Sequence, residues 1–134
     1  IGLGGNVGNM QKRFKRVYRY FLDRADIHVS QTSPLLKNPP FGYLEQNDFY
    51  NAVMLVETSL SPRELLKLLL HTEKIFKRKR SFKNAPRTLD LDIIFFDSKH
   101  YRDRHLKIPH PCWSQRESVV IPLAYISQSH KRIR

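Results

Sequence analysis

Two aspartates one residue apart, Asp90 and Asp92, stand in the run Arg87-Thr88-Leu89-Asp90-Leu91-Asp92-Ile93-Ile94-Phe95-Phe96. The run favours a strand, in which side chains alternate, so Leu89, Leu91, Ile93 and Phe95 share one face and both aspartates point to the other. The strand rise sets the two aspartate Cα atoms roughly 6.5–7 Å apart. Carboxylates at that spacing repel by about 2 kcal/mol at an effective dielectric of about 20. Ile94 and Phe96 continue the aspartate face and argue for partial burial, so a cation is the natural offset. No Cys/His cluster has zinc spacing, which favours a hard ion bound through oxygen. Mg²⁺ fits, because it takes one or two carboxylates and completes its shell with water and phosphate oxygens. A solvated edge strand is the plainer alternative.

Positive charge gathers around this pair. Arg87 lies three residues upstream, Arg78 and Arg80 lie further back, and His105, Lys107, His110 and Arg116 follow. Arginine forks match phosphate oxygens, and phosphoryl-type transfer rests on positioning and charge stabilisation. The run Lys77-Arg78-Lys79-Arg80 equally suits a helix C-terminus, where cations meet the helix dipole. His110, between Pro109 and Pro111, reads equally well as a loop residue. Gly4, Gly5 and Gly8 match neither a P-loop nor a dinucleotide fingerprint, and a tight strand-to-helix turn accounts for them. Asn51, inside an apolar run, is either a satisfied core amide or a reader of a ligand's donor–acceptor edge, and local sequence leaves both open.

The elements that must position these groups follow from periodicity. Ile1–Gly4 reads as a strand entering the turn Gly4-Gly5-Asn6-Val7-Gly8-Asn9. Met10, Phe14, Val17, Tyr18, Phe21, Leu22 and Ala25 recur at helical spacing, with Lys12, Arg13, Lys15 and Arg16 off that stripe and expected in solvent. Ile27–Thr32 is a strand, residues 33–47 a long loop marked by Pro34, Pro39, Pro40 and Gly42, and Phe49–Val56 a buried strand. Ser61-Pro62-Arg63-Glu64 is a capping box with proline at the first helical position. The helix it opens carries Leu65, Leu66, Leu69, Leu70, Ile75 and Phe76. A strand over Thr88–Phe96, a turn at residues 97–100 leading to a strand that ends near Ile108, and a short helix after Pro111 complete the chain. Val119–Ile121 reads as a last strand or extended segment. The order β-α-β-β-α-β predicts an α+β, ferredoxin-like fold, an antiparallel sheet with helices packed on one face.

The 134 residues fit one domain, 1–134, long enough to bury a core, with eight Phe, six Tyr and one Trp to fill it. A formal net charge of +12 points to a polyanionic partner: nucleic acid, a nucleotide or a phosphorylated small molecule. No apolar run is long enough to cross a bilayer. The single Cys112 cannot form an internal disulfide and favours a reducing, cytoplasmic compartment. The sequence opens on Ile1 inside a strand-like segment, so trimming at the N-terminus is expected, and the C-terminus is a second candidate for it.

Together these segments resemble the 6-hydroxymethyl-7,8-dihydropterin pyrophosphokinases of folate biosynthesis, from Gly2 to Leu123. The most specific part is Pro86-Arg87-Thr88-Leu89-Asp90-Leu91-Asp92-Ile93. Leu3-Gly4-Gly5-Asn6-Val7-Gly8, Asn38-Pro39-Pro40-Phe41-Gly42, Asn47-Asp48-Phe49-Tyr50-Asn51-Ala52-Val53 and Ile108-Pro109-His110-Pro111 with Arg116 support it. The resemblance implies transfer of pyrophosphate from ATP to the pterin hydroxymethyl oxygen, releasing AMP, with two Mg²⁺ ions on Asp90 and Asp92. It places Asn51 on the pterin edge and Phe49 on its ring, with Asn38, Pro39, Phe41 and Gly42 in the enclosing loop. It places Glu73, Arg80, Ile93 (through its backbone), Lys107, His110 and Arg116 against ATP, and Arg78 and Arg87 as loop arginines that assemble the closed site. It implies small-molecule partners, no nucleic acid, no membrane and a monomer.

Two positions depart from the family pattern. Asn84-Ala85 stands where Trp-Gly is usual, and Ser118 stands where an aromatic usually covers the pterin's second face, a role for which Trp113 and Tyr43 are the substitutes at hand. A family member with weakened catalysis or altered substrate is therefore one competing reading. Another is a basic nucleic-acid-binding module on the same topology, but no aromatic RNA-recognition run is present, and two aspartates on the open face repel phosphate unless metal-bound.

Overall fold

The computed structural model describes residues 1–39, 45–76 and 88–133, with side chains in the last helix described as far as Ile126. Strand β1 (Gly2–Gly5) leads into α1 (Met10–Leu22), and β2 (Ile27–Thr32), β3 (Leu36–Asn38) and β4 (Phe49–Thr58) follow. Helix α2 (Pro62–Ile75), β5 (Asp90–Asp92), the hairpin strands β6 (Tyr101–Arg102) and β7 (Lys107–Ile108), a 3-10 turn (Trp113–Gln115) and α3 (Glu117–Ile133) complete the order. The main sheet runs β2-β4-β1-β5, antiparallel at every step, with β3 added beside β4. Each helix-linked pair of strands, β1 with β2 and β4 with β5, is thus parallel and separated by one strand, the arrangement of a ferredoxin-like fold.

Local signals start both crossover helices. The Asn9 side chain caps α1 by accepting from the backbone N–H of Lys12 at 3.1 Å. In α2 the Ser61 hydroxyl accepts from the Glu64 N–H, and the Glu64 carboxylate accepts from the Ser61 N–H at 2.9 Å. Such caps stabilise a helix end by about 1 kcal/mol. Val17 and Phe21 of α1 and Leu65, Leu68 and Leu69 of α2 pack on Leu3, Ile27, Val29, Met54 and Leu91 of the strands and on Leu89 and Ile93, which flank β5. Each such side chain contributes about 1.5–3 kcal/mol on burial. Leu106 and Ile108 of the hairpin close this core.

Five expectations change in the structure. The segment 33–47 is not all loop, because β3 pairs Leu36, Lys37 and Asn38 with Asn51, Tyr50 and Phe49. The strand expected over Thr88–Phe96 shortens to Asp90–Asp92, since its partner β1 offers only Gly4, Leu3 and Gly2, and beyond it the Ile94 carbonyl accepts from the His110 N–H. Val119–Ile121 is helical, its β-branched run overridden by a stripe that buries Pro122 and Ile126. Tyr18, Leu22, Leu70 and Ile75, placed on apolar stripes, are exposed, while Leu68, Thr72 and Glu73 take up the buried side of α2. Arg13 is not solvated: its guanidinium donates to the carbonyls of Val7 and Thr88, the latter at 2.9 Å.

Candidate active site

Residues paired across neighbouring strands point to the same side of a sheet. Asp90, Gly4, Asn51 and Leu36 form one such row across β5, β1, β4 and β3, and Asp92, Gly2 and Val53 form the next. The row carries its two polar side chains at either side of a glycine, on the face away from α1 and α2. The first turn of α3 stands over this face and, with the sheet, encloses a cleft of about 290 Å³. Asn38, Pro39, Phe49, Asn51, Asp90, Asp92, His110 and Arg116 all line it, bringing eight residues singled out from sequence into one place.

Gly4 is a structural requirement of the floor. A Cβ at Gly4 would lie 2.8 Å from the Asn51 amide nitrogen, so the amide lies across the space that a side chain on β1 would fill. Asn38 fixes the other end of that amide, its Nδ2 donating to Asn51 Oδ1 at 3.0 Å. Asn51 thus lines the cleft with its amide held by Asn38. Phe49 sits two pairs further along, opposite Asn38.

Opposite Asn51, Asp90 and Asp92 enter the cleft from β5, with Leu91 between them buried on the other face. Burial lowers the His110 pKa below its ordinary value, and the Arg116 guanidinium lowers it further. The His110 ring is therefore neutral at pH 7, and its Nδ1 is buried with no hydrogen-bond partner among the described residues. Two carboxylates, a neutral imidazole and a guanidinium converge where a phosphate chain and its counter-ions fit.

Three expected residues place their side chains outside the cleft lining. Glu73 is only 2% exposed, on the helix side of the sheet, where its carboxylate accepts from the Leu91 N–H at 2.8 Å. The Ile93 side chain is buried on that same side, its expected contact being through the backbone, and Lys107 is exposed on the β6–β7 hairpin outside the cleft lining. Phe41, Gly42, Tyr43, Arg78, Arg80, Asn84, Ala85 and Arg87 lie outside the described residues. Trp113 does not take the wall left by Ser118: its ring packs edge-on against Phe95 at 4.8 Å, while Ser118 itself lines the cleft.

Groups without a sequence signal also hold the site together. Asn6 is 4% exposed, and its amide donates to Gln46 Oε1 and to the Asn47 carbonyl, each at 2.8 Å. It ties the glycine-rich turn to the entry of β4. A polar residue between glycines read as a turn former, and no periodicity marks a contact forty residues away. The Gly2–Gly4 alternation was the available signal for the bare floor.

The family model for 7,8-dihydro-6-hydroxymethylpterin-pyrophosphokinase (HPPK) matches residues 1–128. The 2-amino-4-hydroxy-6-hydroxymethyldihydropteridine pyrophosphokinase of Campylobacter jejuni is 50% identical over 126 residues, covering 94% of this chain and 80% of that protein. Its namesake from Helicobacter pylori is 47% identical over 126 residues, covering 92% and 77%. The folic acid synthesis protein FOL1 of Dictyostelium discoideum is 33% identical over 131 residues, which span 95% of this chain and 19% of that protein. No described helix is long and apolar enough to cross a membrane. With an end-to-end family match and the cleft in place, the chain belongs to the 7,8-dihydro-6-hydroxymethylpterin-pyrophosphokinase family, enzymes of the diphosphotransferase class.

Proposed function

We propose that the chain transfers the pyrophosphoryl group of ATP to the hydroxymethyl oxygen of 6-hydroxymethyl-7,8-dihydropterin, releasing AMP, in the cytoplasm. An oxygen–Pβ bond forms, the Pα–O–Pβ bridge breaks with its oxygen leaving on AMP, and the hydroxyl proton passes to solvent. The observation that carries this reading is the row Asp90–Gly4–Asn51, which sets a carboxylate site and an amide reader either side of a bare floor. Asn51, fixed by Asn38, reads the donor–acceptor edge of the pterin, and Phe49 lies against its ring. His110 and Arg116 face the phosphates. Arg78, Arg80, Arg87, Phe41 and Gly42 take the family roles given above.

The donor set suits Mg²⁺. Asp90 and Asp92 offer carboxylate oxygens on one strand face, the donor type a hard cation takes. Two Mg²⁺ ions, when bound, neutralise charge on the phosphate oxygens. Asp90 and Asp92 then serve as their anchors.

The test is AMP release from ATP with and without the pterin, with Mg²⁺ present and after EDTA. Pterin-dependent AMP that disappears with EDTA is expected. Asp90→Ala and Asp92→Ala should each lower turnover by about a hundredfold or more while the fold, followed by circular dichroism, is kept. Near-normal turnover in either variant refutes the metal assignment. The absence of an aromatic ring at Ser118 favours one second reading, a relative with weakened catalysis, which predicts normal ATP affinity with slow turnover.

A further inference from the structure

A second concavity of about 430 Å³ lies on the other side of the sheet, beside α1 where β2 gives way to β3. Leu3, Ala52 and Met54 form its floor, and Phe14, Tyr18 and Leu35 its walls. Its size falls in the range of small-molecule sites, roughly 300–1,000 Å³. The one buried polar group in the floor is already satisfied: Ser33 Oγ donates to the Pro34 carbonyl at 3.0 Å and accepts from the Val53 N–H at 2.9 Å. The bottom of the groove therefore asks for an apolar body.

The mouth asks for negative charge. Lys15 stands at the rim, and Lys12, Arg16 and Arg19 are exposed on the same helix, which carries no acidic residue. None of these four enters the ion pairs found among the described residues. We infer that this groove is a second ligand site, for a small anionic amphiphile: a flat aromatic or short aliphatic body bearing one carboxylate or sulfonate. Leu3 and Ala52 line both this groove and the catalytic cleft, so the two sites share a wall two strands wide.

The probe is 1-anilinonaphthalene-8-sulfonate, titrated by fluorescence into the whole chain and displaced with 2-naphthoate or its neutral counterpart, 2-naphthalenemethanol. The site predicts one saturable dye per chain, displaced by the acid and much less by the alcohol. Reversing the rim charge with Lys15→Glu, or charging the wall with Leu35→Glu, should weaken binding by at least about tenfold. Asn51→Ala, on the catalytic side, should leave it unchanged. No saturable binding, equal displacement by the alcohol, insensitivity to both substitutions, or loss in Asn51→Ala each overturns the inference. Lys15 is solvent-exposed, so Lys15→Glu decides the matter if Leu35→Glu does not fold. The readout is independent of turnover, and failure of the proposed reaction leaves it standing.

Discussion

Gly4→Ala is a one-methyl test of the cleft. Gly4 lies in extended strand, so alanine meets no backbone strain there, and the whole effect falls on what the new Cβ touches. That atom would lie 2.8 Å from Asn51 Nδ2, about 0.6 Å inside the 3.4 Å at which ordinary contact begins. The amide has nowhere easy to go. Retreating from β1 drives its Oδ1 onto Asn38, which stands 3.0 Å away on β3 at the opposite side of β4, and spoils that hydrogen bond. Rotating instead turns the amide away from the pterin. Either route leaves a buried polar contact unmade, at about 1–3 kcal/mol, which converts to roughly 5- to 150-fold weaker pterin binding. Isothermal titration with pterin should read that loss, while ATP affinity and thermal stability stay close to the parent. Gly2→Ala is the control, because its Cβ crowds the Ile94 side chain, Cδ1 at 3.1 Å and Cγ1 at 3.3 Å, without meeting Asn51, and should change pterin affinity little. A Gly4→Ala protein that binds pterin within a factor of about two of the parent refutes the assignment of Asn51 as the edge reader.

Burial favours neutral His110 in the fold, so the unfolded chain takes up its proton first as pH falls below 6.5. Stability should therefore decline from there until the folded-state pKa is passed. His110→Asn should flatten that decline in urea midpoints measured across the window, and an unchanged slope counts against a buried, neutral ring. Ser118→Phe supplies the missing ring across the cleft from Phe49 and should tighten pterin binding by about 0.5–1.5 kcal/mol, or two- to twelvefold; equal or weaker affinity would mean that the wall is not open. Leu69→Ala, at a position with no solvent exposure, should cost about 2–5 kcal/mol of stability in chemical denaturation without changing substrate affinities.

The core topology and the polar half of the site were legible because their signals are local. The alternation around Asp90 and Asp92 gave the strand and its two faces, and the capping box at Ser61 fixed the start of α2. What escaped depends on partners far along the chain. β3 is three residues between prolines and exists because β4 offers it an edge. α3 is written in β-branched residues, and only burial of Pro122 and Ile126 against the sheet makes it a helix. Arg13 has the sequence context of any surface cation, and the carbonyls that draw it inward, Val7 in the turn and Thr88 75 residues away, leave no periodic mark. The cleft suffered least from these misreadings, since its floor is made by pairing register, which follows once the strands are named.

The glycine-rich turn has a mechanical consequence. Through Asn6 it is pinned to residues 46 and 47, at the root of the strand bearing Phe49 and Asn51; through Arg13 it is pinned to Thr88, at the root of the strand bearing Asp90 and Asp92. The turn works as a rivet through both halves of the cleft, so whatever shifts one root drags the other with it. Under the proposed function, two substrates held on separate strands would then arrive in a common frame. That matters for a reaction between them, where a misplacement of about 1 Å can cost a rate factor of about 10².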